Sequence, residues 1–266
     1  FTFFLLYWHY TPGITMLKIS RTWRREAMHL FHKYLHKLYL VYFKWKNTHS
    51  RNVIFQKSCV ISDDDFFEGN NNVGGRIHRS HIGYGTYIVG ENGYIHDCRI
   101  GRFCSIASNC HIGLGDHTLD MVSTSPLFYS AHSLLPENFL TESIPMPEQT
   151  IGDTKYKVMI GNDVWMGYNV CVKEGVTIGD GAIIGAKSLV TRDIPPYAIA
   201  VGTPARVIKY RFSPEQIQKL LEIKWWDQDP AWIKENIHVF HDIDTFIAAA
   251  EISAPSTGHP QQDPGR

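Results

Sequence analysis

The chain has 266 residues, with 26 Lys and Arg against 26 Asp and Glu and a formal net charge of zero. That balance excludes the basic footprint of a nucleic-acid-binding protein, and 44% hydrophobic with 13% aromatic residues excludes a disordered chain. Five cysteines without a C-x-x-C spacing make neither a disulfide framework nor a zinc site, and point to a reducing compartment.

The first ten residues, FTFFLLYWHY, are apolar but too few to span a bilayer, which needs about 20. No basic stretch precedes them and no small-residue cleavage site follows, so a secretory signal is not expected, and Met16 is a candidate natural start. Over residues 21–45, Trp23, Ala27, Leu30, Phe31, Tyr34, Leu38, Val41, Tyr42 and Trp45 recur at helical spacing. Arg21, Arg24, Arg25, Lys33, Lys37, Lys44 and Lys46 accompany them against one acid, Glu26. This predicts a basic amphipathic helix in an N-terminal region, 1–51. It either packs on protein, its own subunit or a neighbour, or touches an anionic membrane surface peripherally.

From residue 52 the rhythm changes to six. Ile54, Val60 and Phe66 are in phase but interrupted by Asp63-Asp64-Asp65 and Asn70-Asn71-Asn72, which reads as an irregular first coil. A clean block follows at Ile82, Ile88, Tyr94, Ile100, Ile106 and Ile112, and a second at Ile160, Met166, Val172, Ile178, Ile184 and Val190. A second line, Val164, Val170, Val176, Ala182, Ser188 and Ile194, keeps the same period. A six-residue period fits neither a helix nor a single half-buried strand. It fits a solenoid of triangular coils, in which residues about 18 apart stack on one another. Cys98, Cys104 and Cys110 fall on the small-residue position and read as buried hydrophobes. The predicted class is therefore an all-β solenoid over 52–205, with two coils in each clean block.

Between the blocks the period vanishes, and residues 118–157 form a long loop rich in Pro, Ser, Thr and aromatics. Insertions of this length into solenoids project from one face and are usually functional. Residues 206–247 read as a C-terminal extension. Ser213-Pro214-Glu215-Gln216 offers an N-cap, Pro at N1 and Gln at N3 for a helix to Lys224, and a short helix is expected over 230–235. The tail 248–266 reads as disordered.

The two hexapeptide blocks, the loop between them, the NDVWMG segment at 162–167 and VGTPARVIKYRF at 201–212 resemble the left-handed parallel β-helix acetyltransferases. The resemblance spans about residues 76–225. It looks closest to two branches, the O-acetyltransferases of surface polysaccharides and the xenobiotic acetyltransferases acting on streptogramin A and chloramphenicol. It implies a homotrimer with active sites between subunits, acetyl-CoA as co-substrate, a glycan or small-molecule hydroxyl as acceptor, and no metal. The location implied is cytoplasmic, peripheral at the inner membrane face if the N-terminal helix binds lipid.

Acetylating an alcohol needs a base for the hydroxyl proton and donors for the developing oxyanion. His117, one of 14 histidines, stands where the last regular hexad opens into the loop, the junction that carries the catalytic base in the family. Asp116 and Asp120 either orient its ring or serve a solvated turn. Trp165 is expected at a corner near both acetyl group and acceptor. Ser123, Thr124, Phe128 and Tyr129 are the acceptor-binding candidates. The CoA path carried over by resemblance comprises Trp165, Gly167, Tyr168, Ala186, Lys187, Thr191, Arg192, Thr203, Pro204, Arg206 and Lys209. The basic members among these either neutralise phosphates or form a solvated face. His111 reads as structural and His132 as a lesser acceptor contact. One departure is informative. The Asn that contacts acceptor in the galactoside and maltose branch, about 30 residues before the base, aligns with Tyr87. The related zinc carbonic anhydrases need a second His five residues after the first, and position 122 is Val. A non-catalytic scaffold is the remaining alternative.

Overall fold

The computed structural model describes residues 21–145 and 150–253. The chain forms two compact units, Phe1–Phe43 and Lys44–Arg266. The apolar segment 1–10, Met16, and residues 146–149 and 254–266 lie outside the described residues.

Helix α1 runs Arg21–Arg51, past the expected end at 45 by more than one and a half turns. Tyr34, Leu35, Leu38, Tyr39 and Val41 on it are exposed, as are Lys33 and Lys37. No helix among the described residues is long and apolar enough to cross a membrane.

The second unit is a parallel β-solenoid of short strands that visit three sheets in rotation. The first sheet holds Val53–Phe55, Asn71–Val73, Tyr87–Ile88, Ser105–Ile106, Trp165–Met166, Ile183–Ile184 and Ala198–Gly202, closed by antiparallel Ala205–Tyr210. The second holds Arg76–His78, Tyr94–His96, His111–Leu114, Cys171–Lys173 and Leu189–Val190. The third holds Phe66–Phe67, His81–Ile82, Cys98–Ile100, Val158–Ile160 and Thr177–Ile178. Each coil therefore has three corners: the first between the first and second sheets, the second between the second and third, and the third between the third and first.

The core follows the six-residue rhythm. Ile82, Ile88, Ile100, Ile106, Ile112, Ile160, Met166, Val172, Ile178, Ile184 and Val190 all point inward and are buried. Cys98, Cys104 and Cys110 are buried beside them, and burial raises all three thiols, Cys104 to about 12, which keeps them protonated and inert.

Four expected inward residues face out instead. Ile54, Val60, Phe66 and Tyr94 are exposed, and their neighbours Val53, Ile61, Phe67 and Ile95 are buried. Strand side chains alternate, so a one-residue slip exchanges the two faces. At Tyr94 the slip arises in the preceding corner, where Gly90 takes φ +99° and admits an extra residue.

The Ala205–Tyr210 strand carries the first sheet past the expected boundary at 205. Helix α2 (Pro214–Ile223) then starts at Ser213, whose hydroxyl accepts from Gln216 N while Gln216 caps back, and ends at Lys224 in the left-handed conformation. Helix α3 is Pro230–Glu235. Helix α4, Ile243–Ser253, corrects the expected disorder from 248: Phe246, Ile247 and Ala250 form a buried stripe that the Ala-rich composition concealed. Leu220 of α2, Phe246 and Ile247 of α4, and Trp226 and Val239 from the 3-10 turns between the helices pack against Tyr197 on the third corner, with Trp225 5.0 Å from Phe103.

Candidate active site

The loop leaves the solenoid at the second corner, after His111–Leu114, and returns at Val158–Ile160. Its root is fastened from below and above. Lys157 N donates to Asp97 O at 2.7 Å, Glu174 N to Leu114 O at 3.0 Å, and Gly175 N to Lys157 O at 2.8 Å. Two ion pairs reinforce these bonds: Lys173 Nζ to Asp116 at 2.6 Å on the outgoing limb, and Lys157 Nζ to Glu174 at 3.1 and 3.2 Å on the returning one.

His117 stands exposed at this root. Its Nδ1 lies 2.9 Å from the Tyr129 hydroxyl, and among the described residues no hydrogen bond reaches Nε2. Tyr129 is held in turn by the loop's own structure. Ser125 caps a single 3-10 turn, Pro126–Phe128; Tyr129 N donates to Pro126 O, and Ile144 N donates to Tyr129 O at 2.9 Å. Phe128 meets Phe139 edge to face at 5.8 Å, although both rings are exposed. Ser123 Oγ accepts from Ser125 N, and Thr124 is exposed.

At Nδ1 the ring of His117 meets the Tyr129 hydroxyl, and the side chain of Asp116 pairs elsewhere. Asp116 is drawn to Lys173, a charge partner nearly a coil's circuit away that no local spacing announces. Asp120 is exposed.

The carried-over CoA residues divide between two corners and two strands of the first sheet. Gly167, Tyr168, Ala186, Lys187, Thr203 and Pro204 stack along the first corner on successive coils. Lys187 N donates to Tyr168 O at 2.8 Å, and Thr203 Oγ1 to Lys187 O at 3.2 Å. A Cβ at Gly167 would come within 2.6 Å of Ala186 N, so the coils pack this closely only with glycine there. Thr191 and Arg192 lie apart from this column, at the second corner. Arg206 and Lys209 lie exposed on the Ala205–Tyr210 strand. Trp165 occupies a strand of the first sheet, not a corner, and is 54% exposed because the alternation turns Met166 inward.

Below the loop root lies a second polar group that the hexad reading passed over. Arg79 grips buried Asp97 with two bonds of 2.6 Å, His96 Nδ1 is 2.9 Å from the same carboxylate, and the His96 ring stacks on His78 at 5.0 Å. Burial lowers the His96 pKa, with Arg79, His78 and Lys157 adding to the effect and Asp97 opposing it. Among the described residues, no three His, Cys, Asp or Glu are grouped to hold a metal ion.

The description "Bacterial transferase hexapeptide (six repeats)" matches residues 157–192. The chain is 44% identical over 131 residues to a chloramphenicol acetyltransferase of Morganella morganii, across 48% of this chain and 58% of that protein. It is 39% identical over 142 residues to a probable macrolide acetyltransferase of Lysinibacillus sphaericus, across 53% of this chain and 74% of that protein. It is 35% identical over 141 residues to the galactoside O-acetyltransferase of Escherichia coli K12, across 46% of this chain and 62% of that one. The matched region thus spans under two thirds of the chloramphenicol acetyltransferase and about three quarters of the macrolide enzyme.

Proposed function

The chain belongs to the hexapeptide-repeat acetyltransferase family, and from that premise we propose that it transfers acetyl from acetyl-CoA to a hydroxyl, with His117 as the base. The observation that carries this reading is the exposed imidazole at the loop root with Tyr129 at Nδ1. We assign the proton to Nδ1, donated to the Tyr129 hydroxyl oxygen, which leaves the Nε2 lone pair facing out. Nε2 then takes the acceptor's hydroxyl proton as that oxygen attacks, and returns it to the departing sulfur. Acetyl-CoA supplies the acyl group as an activated thioester. The first-corner column, with its glycine-dependent close packing and Lys187 at its edge, would hold the pantetheine arm, and the exposed cations Arg206 and Lys209 would meet phosphates.

The first-corner column and His117 lie at different corners of the solenoid, His117 on the coil just before those of the column. That separation supports a homotrimer in which the donor groove of one subunit faces the base of the next. The names of the chloramphenicol and macrolide relatives favour an antibiotic hydroxyl. The galactoside relative favours a sugar hydroxyl, and helix α1 suits an enzyme working on lipid-borne glycans at an anionic membrane surface. Purified protein with acetyl-CoA, given chloramphenicol, macrolides and streptogramin A beside glycan oligosaccharides, separates the two by which acceptor gains acetyl in mass spectra. Acetylation of neither, with acetyl-CoA left intact, would leave the scaffold alternative. Flotation with phosphatidylglycerol vesicles tests the helix, and recovery equal to that with neutral vesicles sinks its membrane role.

A further inference from the structure

Lys173 and Glu174 are adjacent residues of opposite charge on the coil directly above the loop root, and each holds a different limb of the loop. Lys173 takes Asp116, the residue immediately before His117, at 2.6 Å. Glu174 takes Lys157 at 3.1 and 3.2 Å, one residue before the solenoid resumes at Val158. The second pair is the better shielded, with side-chain exposures of 26% and 11% against 40% and 40% for the first. Asp97, 4.0 Å from Lys157 on the coil beneath, completes the bracket around the returning limb. The ring contact of Phe128 with Phe139 lies within the loop itself. That contact ties one part of the loop to another, while the backbone bonds at the root and these charges tie the two limbs to the solenoid.

We propose that Lys173 and Glu174 form an electrostatic clamp that positions His117, and so are positioning residues for the acetyl transfer proposed above, on which this inference rests. The clamp fixes the two limbs against one rigid coil, so the imidazole reaches the groove in a single pose. Displacement of a catalytic group by about 1 Å is enough to cost about a hundredfold in rate. The exposed Lys173–Asp116 pair contributes little to global stability, so its effect belongs in kcat rather than in folding.

The test is a pair of charge swaps read by steady-state kinetics and by chymotryptic cleavage within 118–145. Lys173→Glu and Glu174→Lys each place like charges together. The expected result is a kcat lowered about tenfold for the first and about a hundredfold for the second, the KM for acetyl-CoA unchanged, and faster loop cleavage. Restoring opposite charge in Asp116→Lys/Lys173→Glu and in Lys157→Glu/Glu174→Lys returns most of the rate and the protection. Single variants with wild-type kcat and cleavage overturn the clamp, and so do doubles as impaired as the singles. His117→Gln is the control. If it keeps activity, the base assignment fails; if it is inactive while the clamp variants are unaffected, only the clamp fails. Glu174→Gln, which keeps shape and loses charge, gives the same reading should either reversal fail to fold.

Discussion

Two corners of the same coils have opposite chemistry. The second corner gathers His78, Arg79, His96, Asp97, Lys157, Lys173 and Glu174, and there the chain leaves the solenoid for more than 40 residues. The third corner gathers Phe103, Tyr197, Trp225, Trp226, Phe240 and Phe246 under the C-terminal helices. One repeat thus yields two kinds of edge. The charged edge holds buried Asp97 and half-buried His96 in ion pairs and leaves His117 exposed, while the aromatic edge removes apolar surface from water. On the proposed reading, the division separates what acts from what stabilises.

If that division is right, the same experiment done at the two corners gives opposite results. His117→Ala removes an exposed ring, so kcat/KM should fall by about 10²–10⁴, the usual share of a positioned base, with thermal unfolding unchanged. A fall of Tm in step with activity would contradict it. Trp226→Ala, at a position only 3% exposed in the aromatic cluster, should cost about 3–5 kcal/mol of stability. For a domain of this size that is a Tm lower by roughly 6–20 °C, with kcat per folded molecule unchanged below the transition. A selective loss of kcat in folded Trp226→Ala would erase the distinction between the corners.

Sequence legibility follows the same line. The inward aliphatics and buried cysteines were readable because the hexad repeats, and the capped start of α2 because Ser213 and Gln216 are local. The slip that turns Tyr94 outward was not, since one extra residue beside Gly90 leaves the composition of the strand unchanged. His117 stood out by its place at the break in the period. Its partner Tyr129 lies twelve residues on, reached through a 3-10 turn that no periodicity encodes. The polar ladders were within reach of a period already in hand. Asn52 with Asn70, Arg79 with Asp97, and Asn162 with Asp180 are each 18 residues apart, the length of one coil. Lys173 with Asp116 escaped that rule because the inserted loop falls between them.

The smallest expected effect is on pH dependence, and it isolates the charged corner from its aromatic counterpart. Around His96 stand Asp97, Arg79, His78, Lys157 and Tyr94. Burial first, then the neighbouring positive charges, hold its folded pKa below the ordinary imidazole value, and Asp97 recovers only part of that loss. In the unfolded chain the same ring titrates near 6.5. Below that pH the unfolded state binds a proton the folded state refuses, so the contribution of His96 is fully present above about 6.5 and is lost as pH falls toward the depressed folded value. His96→Gln keeps a hydrogen-bonding side chain and cannot titrate. Urea unfolding from pH 7.5 to 5 should give a shallower loss of stability in the variant than in the wild type. Equal slopes would mean that Asp97 compensates the proton in full, and that this corner tolerates charge as readily as water does.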